Sequence, residues 1–192
     1  MKFADVVKFH GHACPGLAFG FRAAEEALRE TGRSRDEELV AVVENNSCAV
    51  DAIQVVTGCT FGKGNLIFED YGKQVYTFIK RPTGEAVRIA VIWKAPVEDE
   101  QTAEMWKRFD RGDRSKEVMQ AIKARKAVKM KAILAAEPEE LFDIRHLTVQ
   151  VPDPARVFPS LRCSVCNEKV MEPRARIIED RIYCIPCAAE IS

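Results

Sequence analysis

Four cysteines near the C-terminus constrain the fold of this chain more than any other feature of its sequence. They form two C-x2-C pairs, Cys163 with Cys166 and Cys184 with Cys187. This spacing is typical of a zinc site in which four thiolates surround the ion and leave no position for a substrate. A segment of about thirty residues is too short to fold on a hydrophobic core alone, so we expect zinc to supply the folding energy.

The residues between the two cysteine pairs predict a short hairpin. Segments 175–178 and 181–183 are rich in isoleucine and flank Glu179-Asp180, as two strands flank a turn. The module also carries the basic side chains Arg162, Lys169, Arg174, Arg176 and Arg181. A solvated basic face explains these side chains, and contact with a protein or a nucleic acid is the alternative.

A proline-rich segment separates this module from the rest of the chain. Residues 150–160 contain three prolines, a composition typical of a stiff linker. We therefore predict a core domain at residues 1–149, a linker at 150–160 and a zinc finger at 161–192. The chain has 29 basic and 29 acidic residues, so its net charge favours neither nucleic acid nor an anionic membrane as a partner.

The N-terminal sequence predicts a cytoplasmic protein. Residues 1–5 lack the apolar region of a signal peptide, and no apolar run approaches the roughly 18 residues that a membrane span needs. Because thiols are kept reduced in the cytoplasm, we interpret the seven cysteines as metal-binding or redox groups rather than as a disulfide framework.

The core domain mixes helical and strand-like segments. Apolar residues recur at helical spacing from Leu17 to Leu28, after Pro15 and before Gly32, and β-branched runs bounded by turn residues predict strands. The predicted helices are Leu17–Thr31, Ala49–Thr57, Glu98–Arg108 and Ser115–Ala136, and the predicted strands are Leu39–Glu44, Val75–Lys80, Val87–Trp93 and Phe142–Val149. This mixture predicts an α+β domain with a mostly apolar sheet.

The densest chemical pattern of the chain lies just before the first predicted helix. His10, His12 and Cys14 occupy alternate positions, and alternate residues of an extended segment project to the same side. Imidazole nitrogen and thiolate sulfur together suit zinc or iron(II). Cys14 also precedes a helix N-terminus, whose partial positive charge favours the thiolate.

Two further cysteines lie beside the predicted helix Ala49–Thr57. Cys48 precedes this helix, and Asp51 follows three residues later on the same face. Cys59 comes directly after Gly58, which ends the helix. Cysteines beside helix ends are poorly explained by core packing, so we include both in the search for a site.

From these residues we predict a core site that holds zinc or iron. Three protein ligands leave an open position, as a catalytic or sensing metal needs, and we expect them to be His12, Cys14 and Cys59. His10 or Cys48 would join them. A purely structural role of each of these side chains is the alternative.

The glycine-rich loop at residues 58–65 departs from a nucleotide-binding P-loop. Three residues separate its glycines where four are needed, and no Ser or Thr follows Lys63. Its backbone N–H groups and Lys63 would suit another anion. We therefore count Cys14, Cys59, Asp51 and Lys63 as the candidate catalytic residues.

The predicted helix Ser115–Ala136 combines basic and apolar residues. Its basic residues are Lys116, Lys123, Arg125, Lys126, Lys129 and Lys131, and its apolar residues include Met119, Ile122, Met130 and Ile133. A charged solvent face opposite a core face explains this pattern, and the apolar stripe would also suit a homodimer interface.

Three motifs of the core domain together resemble the FmdE family of formylmethanofuran dehydrogenase proteins. They are residues 9–17 with Gly20 and Arg22, the Cys-x2-Asp-Ala-Ile-Gln segment at residues 48–54, and residues 57–66. The resemblance covers roughly residues 5–145. The C-terminal module resembles the treble-clef zinc finger that some members of the family carry.

The resemblance implies a thioredoxin-like α+β core with a mixed sheet flanked by helices, and a metal-binding active site built from the His/Cys motif. The namesake complex is a molybdenum or tungsten oxidoreductase of anaerobes, which interconverts carbon dioxide and the formyl group on methanofuran. Its redox chemistry is assigned to other subunits. The resemblance therefore implies a metalloprotein of one-carbon, methanogenesis-related metabolism with such subunits as partners, and it leaves open whether this chain is itself an enzyme.

Two other functions remain open from the residues alone. The first is a binding module, in which the zinc finger contacts protein or nucleic acid, although the balanced net charge argues against nucleic acid. The second is a thiol redox centre, in which Cys14 pairs with Cys59 or Cys48.

Overall fold

The computed structural model describes residues 1–32, 36 and 38–191, and these residues form two compact units. The larger unit, Met1–Pro154, is the core domain, and the smaller unit, Ala155–Ser192, contains the zinc finger. The boundary between them falls within the proline-rich segment 150–160.

The core domain is built from helices and a five-stranded sheet. Its helices are α1 (Phe3–His10), α2 (Pro15–Thr31), α3 (Ala49–Thr57), α4 (Glu100–Asp110), α5 (Lys116–Ala135) and α6 (Pro138–Leu141). Its strands are β1 (Leu39–Val43), β2 (Leu66–Phe68), β3 (Val75–Lys80), β4 (Glu85–Val91) and β5 (Phe142–Thr148). In the part of the chain that the structure describes, no helix is both long and apolar enough to cross a membrane.

The sequence prediction missed the three short elements α1, β2 and α6. The apolar residues Phe3, Val6 and Val7 have helical spacing and are the signal for α1 in the sequence. β2 has three residues and exists because it pairs with β1. Such pairing is a tertiary contact, so local sequence patterns do not reveal it.

The sheet has the strand order β2-β1-β3-β4-β5 and is mixed, since β1 and β2 are parallel while the other neighbours are antiparallel. Val43, Tyr76 and Ile89 lie opposite one another in consecutive strands. Because side chains alternate along a strand, this row faces one side of the sheet. On that side, residues of α1, α2, α3 and α5 complete the main hydrophobic core.

The opposite face of the sheet carries a smaller apolar cluster of Val40, Ile79 and Ala86. Val149 and Val151 pack against it, so the extended chain after β5 covers this part of the sheet. A mixed sheet flanked by helices confirms the α+β class. The more specific thioredoxin-like assignment stays a prediction.

α2 and α3 approach each other very closely at Gly20. A Cβ atom on Gly20 would lie 2.1 Å from the carbonyl oxygen of Ala49 and 2.5 Å from its Cα. One turn earlier, a Cβ atom on Gly16 would lie 3.5 Å from the Cβ of Cys48. At Gly20 only glycine permits this approach, and as a result the start of α3 lies against the start of α2.

Arg22 connects α2 to the end of α5. Its Nη1 donates to the carbonyl oxygens of Ile133, Leu134 and Ala136 at 2.9, 3.2 and 2.7 Å. The last carbonyl groups of a helix lack partners within the helix, and the guanidinium also faces the negative end of the helix dipole. The Gly20 and Arg22 positions of the sequence motif therefore hold helices together.

The zinc finger contains two hairpins and a helix. They are β6 (Ser160–Arg162) with β7 (Lys169–Met171), β8 (Arg176–Ile178) with β9 (Arg181–Tyr183), and α7 (Ile185–Ala189). Glu179 and Asp180 have φ angles of 47° and 60° between β8 and β9. This left-handed conformation is the one that a two-residue hairpin turn needs, and the predicted hairpin is confirmed.

Replacement of Gly20 by alanine should destabilise the core domain. The added methyl group would overlap the backbone of Ala49, so α2 and α3 must separate, at a cost of about 1–3 kcal/mol. Urea unfolding followed by tryptophan fluorescence measures this change, because Trp93 and Trp106 both lie in the core domain.

Gly62→Ala is the matched control for this measurement. A Cβ atom on Gly62 would meet no other atom within 4 Å, and its φ is not in the left-handed region. We expect its unfolding midpoint to stay close to that of the wild type. Equal losses of stability in the two variants would contradict the role assigned to the contact between α2 and α3.

Candidate metal centre

Three helix ends converge in the core domain. His10 is the last residue of α1, Cys14 is the N-cap of α2 and Cys48 is the N-cap of α3. Gly11 has a φ of 89°, the left-handed conformation that lets the chain turn at the end of α1. His12 lies in the short link between α1 and α2, so all four side chains reach the same region.

The side chains of His10, His12, Cys14 and Cys48 form what we call the core His/Cys cluster. Each offers one ligand atom, and these atoms all lie within 4.8 Å of one another. The ring centroids of His10 and His12 are 4.4 Å apart. Two imidazoles and two thiolates form a donor set that suits zinc and iron(II).

Asp51 fixes the orientation of His10. Its Oδ2 lies 2.6 Å from Nδ1 of His10, so Nδ1 carries the proton and Nε2 presents a lone pair. Nε2 is buried and has no hydrogen-bond partner among the residues that the structure describes. A buried nitrogen without a partner costs about 1–3 kcal/mol, and a metal ion on Nε2 would remove that cost.

Cys14 and Cys48 are neighbouring thiols at two helix N-termini. Sγ of Cys14 accepts a hydrogen bond from the backbone N–H of Leu17 at 3.4 Å. Burial raises the pKa of the Cys48 thiol, and its hydrogen bond with Cys14 and the charge of Cys14 raise it further. Two thiolates this close repel each other, so a bound cation is what would let both ionise.

The structure does not bring Cys59 into this cluster. Cys48 begins α3, whereas Cys59 follows the end of the same helix, and nine helical residues separate the two ends by about 13 Å. Cys59 is fully buried, and its Sγ donates to the carbonyl oxygen of Leu39 at 3.3 Å. The structure therefore does not support Cys59 as a metal ligand, and Cys48 lies where Cys59 was expected.

Lys63 also lies outside the core His/Cys cluster. Its Nζ donates to the backbone carbonyl oxygen of Asp36 at 3.2 Å. In the same loop the fully buried Asn65 accepts from the N–H of Thr60 at 2.9 Å and donates to the carbonyl oxygen of Leu39 at 3.0 Å. These contacts give the glycine-rich loop a structural role.

The candidate catalytic residues are therefore divided between two places. Cys14 belongs to the core His/Cys cluster, and Asp51 orients one of its histidines. Cys59 and Lys63 follow the far end of α3. The predicted helix Ala49–Thr57 already places Asp51 and Cys59 near opposite ends, but only the packing of α3 on α2 decides which end meets Cys14.

The second cluster consists of the four cysteines of the zinc finger. Their Sγ atoms lie within 4.8 Å of one another, and those of Cys166 and Cys184 are 3.8 Å apart. Backbone N–H groups, first that of Cys184, lower the pKa of the Cys163 thiol to about 6. The neighbouring thiols, first Cys184, raise the pKa of Cys187 to about 12. Ionisation of all four therefore requires a cation, as in a closed tetrahedral zinc site.

Comparison with known families assigns both units of the chain. The family model described as "FmdE, Molybdenum formylmethanofuran dehydrogenase operon" matches residues 9–143, which include the whole core His/Cys cluster. The chain belongs to the FmdE family. A model of the prokaryotic dksA/traR C4-type zinc finger matches residues 156–192, so the C-terminal module of this FmdE family protein is a four-cysteine zinc finger.

Two individual proteins are similar to this FmdE family member. The crystal structure of a tungsten formylmethanofuran dehydrogenase FmdE-like protein from Syntrophus aciditrophicus has a TM-score of 0.64 at 20% identity, with 97% of this chain and 90% of that chain covered. A probable S-adenosyl-L-methionine-binding protein of Archaeoglobus fulgidus is 30% identical over an alignment of 199 positions, which covers 94% of this chain. The chain spans about half, 50%, of the length of that relative.

Cys59 should be the slowest core cysteine to react with iodoacetamide after metal has been removed with a chelator. Its thiol is fully buried, and burial raises its pKa, so little reactive thiolate is exposed. Timed alkylation followed by mass spectrometry of tryptic peptides measures the order of reaction. In urea-denatured protein all core cysteines should react at similar rates, and native reaction of Cys59 as fast as Cys14 would overturn its placement.

Proposed function

We propose that the core domain of this FmdE family protein is a metal centre that acts on a small molecule, with zinc or iron(II) held by the core His/Cys cluster. The observation that carries the proposal is the buried Nε2 of His10, which Asp51 orients and which no other described residue contacts by a hydrogen bond. Zinc and iron(II) are both bound by imidazole and thiolate ligands, so the donors of the cluster suit either ion.

The cluster is accessible from one side. His12 is exposed, whereas His10, Cys14 and Cys48 are half-buried. Four bound donors would close the coordination sphere of the ion, and release of His12 would open one position toward the solvent. A zinc or iron(II) ion with an open position acts as a Lewis acid and lowers the pKa of a bound water. His12 is therefore the ligand at which a substrate would enter.

The other residues of the site prepare it for a cation. The carboxylate of Asp51 holds the proton of His10 on Nδ1 and leaves Nε2 free to bind a cation. Cys14 and Cys48 are the N-caps of α2 and α3. A bound cation would offset the burial that raises the pKa of the Cys48 thiol. The ends of α1, α2 and α3 therefore each contribute a donor to the cluster.

The family context supports a proposal about partners. The description of the matching family names the molybdenum formylmethanofuran dehydrogenase operon. The similar crystal structure is that of a tungsten formylmethanofuran dehydrogenase FmdE-like protein. On this basis the protein works in anaerobic one-carbon metabolism beside the subunits of such an oxidoreductase. The four-cysteine zinc finger serves as a structural module of the same chain.

The adjacency of Cys14 and Cys48 supports a second candidate function, a thiol redox pair. Their ligand atoms lie within the 4.8 Å range of the cluster, whereas Cys59 lies at the other end of α3. In this alternative the two thiols form a disulfide under oxidising conditions and do not hold metal.

Metal content separates the two candidates. Full-length protein purified without oxygen should contain about two metal ions per chain by elemental mass spectrometry, one in each cluster. Cys14→Ser should lower this to about one, because the zinc finger keeps its ion. Cys59→Ser is the matched control and should retain both ions.

Two results would overturn the metal-centre proposal. The first is a wild-type protein with a single metal ion and a Cys14–Cys48 disulfide in unreduced peptide maps. The second is a Cys14→Ser protein that keeps the metal content of the wild type.

Asp51→Asn should weaken metal binding at the core cluster without removing any ligand. Loss of such a carboxylate typically costs about 10–100-fold in metal affinity, since the histidine loses the partner that orients its ring. Competition with a chromophoric chelator on the full-length protein measures the affinity. Asp70→Asn, at an exposed position outside the cluster, is the control, and equal affinities in the two variants would contradict the role of Asp51.

A further inference from the structure

A long cavity lies beside the core His/Cys cluster. It has a volume of about 590 Å³ and is lined by His12 and Ala13, by Phe109 of α4 and by one face of α5. Small-molecule sites typically have volumes of about 300–1,000 Å³. The α5 residues that line the cavity run from Lys116 to Met130, so it extends for about 20 Å along the helix.

α5 presents basic and apolar side chains on the same face. Lys116, Met119, Lys123, Lys126 and Met130 all line the cavity and recur at intervals of three, four and seven residues. The sequence predicted lysines on a solvent face opposite the apolar residues. In the structure these lysines are exposed, but they lie beside Met119, Ile122 and Met130 in the cavity lining and not opposite them.

The lysines of the cavity are without partners of opposite charge. Lys116, Lys123 and Lys126 form no ion pair within the described chain, whereas Arg125 and Lys129 of the same helix both bind Glu98, at 3.2 and 2.6 Å. The described residues that line the cavity include no carboxylate. An anion in the cavity would therefore find three unpaired cations beside an apolar wall.

We propose that this cavity binds an elongated apolar carboxylate. Its carboxylate contacts the ammonium groups of Lys123 and Lys126, which lie one turn apart on α5, and its hydrocarbon body lies along Met119. Because His12 belongs to both the cavity and the core His/Cys cluster, a ligand bound here lies next to the metal centre. The inference rests on the proposed function in one respect, because it names the class of substrate for that metal centre. Binding of the carboxylate to the cavity does not itself require a metal.

A second copy of the chain is the competing occupant of this face. It would have to bury three ammonium groups of α5 or bring carboxylates opposite to them, because unpaired buried charges are strongly unfavourable. A small anion needs to pair only with Lys123 and Lys126, and the exposed Lys116 stays in solvent. Charge complementarity therefore favours the ligand.

Isothermal titration calorimetry of the full-length protein tests the proposal with a matched series of probes. Decanoate, decanol and decyltrimethylammonium share the same hydrocarbon chain and differ only in the charge of the head group. We expect decanoate to bind most tightly and decyltrimethylammonium least tightly. Decanol binding as tight as that of decanoate would overturn the proposal, because the lysines would then contribute nothing.

Variants locate the binding on α5. Lys123→Met keeps an apolar stem and removes the charge, and it should weaken decanoate binding about threefold, while decanol binding stays unchanged. Lys131→Met removes a charge from the same helix outside the cavity and should leave both affinities unchanged. Met119→Asp places a carboxylate within the cavity and should abolish decanoate binding.

Sedimentation velocity and metal analysis of the same variants separate the remaining outcomes. If decanoate fails to bind and Met119→Asp converts a dimer to a monomer, the face is an interface between copies and the proposal is wrong. If the wild type binds decanoate through Lys123 but holds no core metal, this inference stands and the proposed metal function fails. Metal content that is unchanged in Lys123→Met, together with weaker decanoate binding, is the expected result.

Discussion

The contact between α2 and α3 at Gly20 is the constraint on which the core site depends. Because a side chain at this position would overlap the backbone of Ala49, glycine sets the distance between the two helix axes. Their N-caps, Cys14 and Cys48, are thereby brought to the same point with both positive dipole ends directed at it. The proximity of the two thiols therefore follows from a packing contact that involves Ala49, the residue next to Cys48, and Gly20, which is six residues after Cys14.

α1 completes this arrangement from the other side. It ends at His10, and the left-handed Gly11 directs the chain so that His12 and Cys14 follow within the same region. Asp51, one turn into α3, then selects the nitrogen of His10 that faces the cluster. Three helices that share one apolar core thus each contribute a group to the site, which makes the position of every donor depend on the packing of that core.

The two metal-binding clusters of the chain differ in chemistry and in exposure. The zinc finger uses four cysteines from two C-x2-C pairs, a closed set suited to stabilising a small module. The core His/Cys cluster combines two imidazoles with two thiolates, and its exposed member, His12, borders a cavity with unpaired lysines. The core His/Cys cluster therefore has one side next to a cavity, whereas the zinc finger has a closed set of four thiolates.

The sequence by itself determined those features that depend on neighbouring residues. The C-x2-C pairs identified the zinc finger, and periodicity with capping residues located α2, α3 and β3, because hydrogen bonds and caps within one element are local. The His10, His12 and Cys14 motif was also found, since its members are within five residues of one another.

Only the tertiary structure decided which distant residues meet. Cys48 and Cys59 flank the same helix and are equivalent in the sequence, but the direction in which α3 packs on α2 brings one to the cluster and buries the other against Leu39. The basic residues of α5 are a second example. Their sequence does not show that Arg125 and Lys129 form ion pairs with Glu98, whereas Lys116, Lys123 and Lys126 line a cavity. Packing between elements depends on many weak contacts between residues that are distant in sequence, so it cannot be predicted from a local sequence pattern.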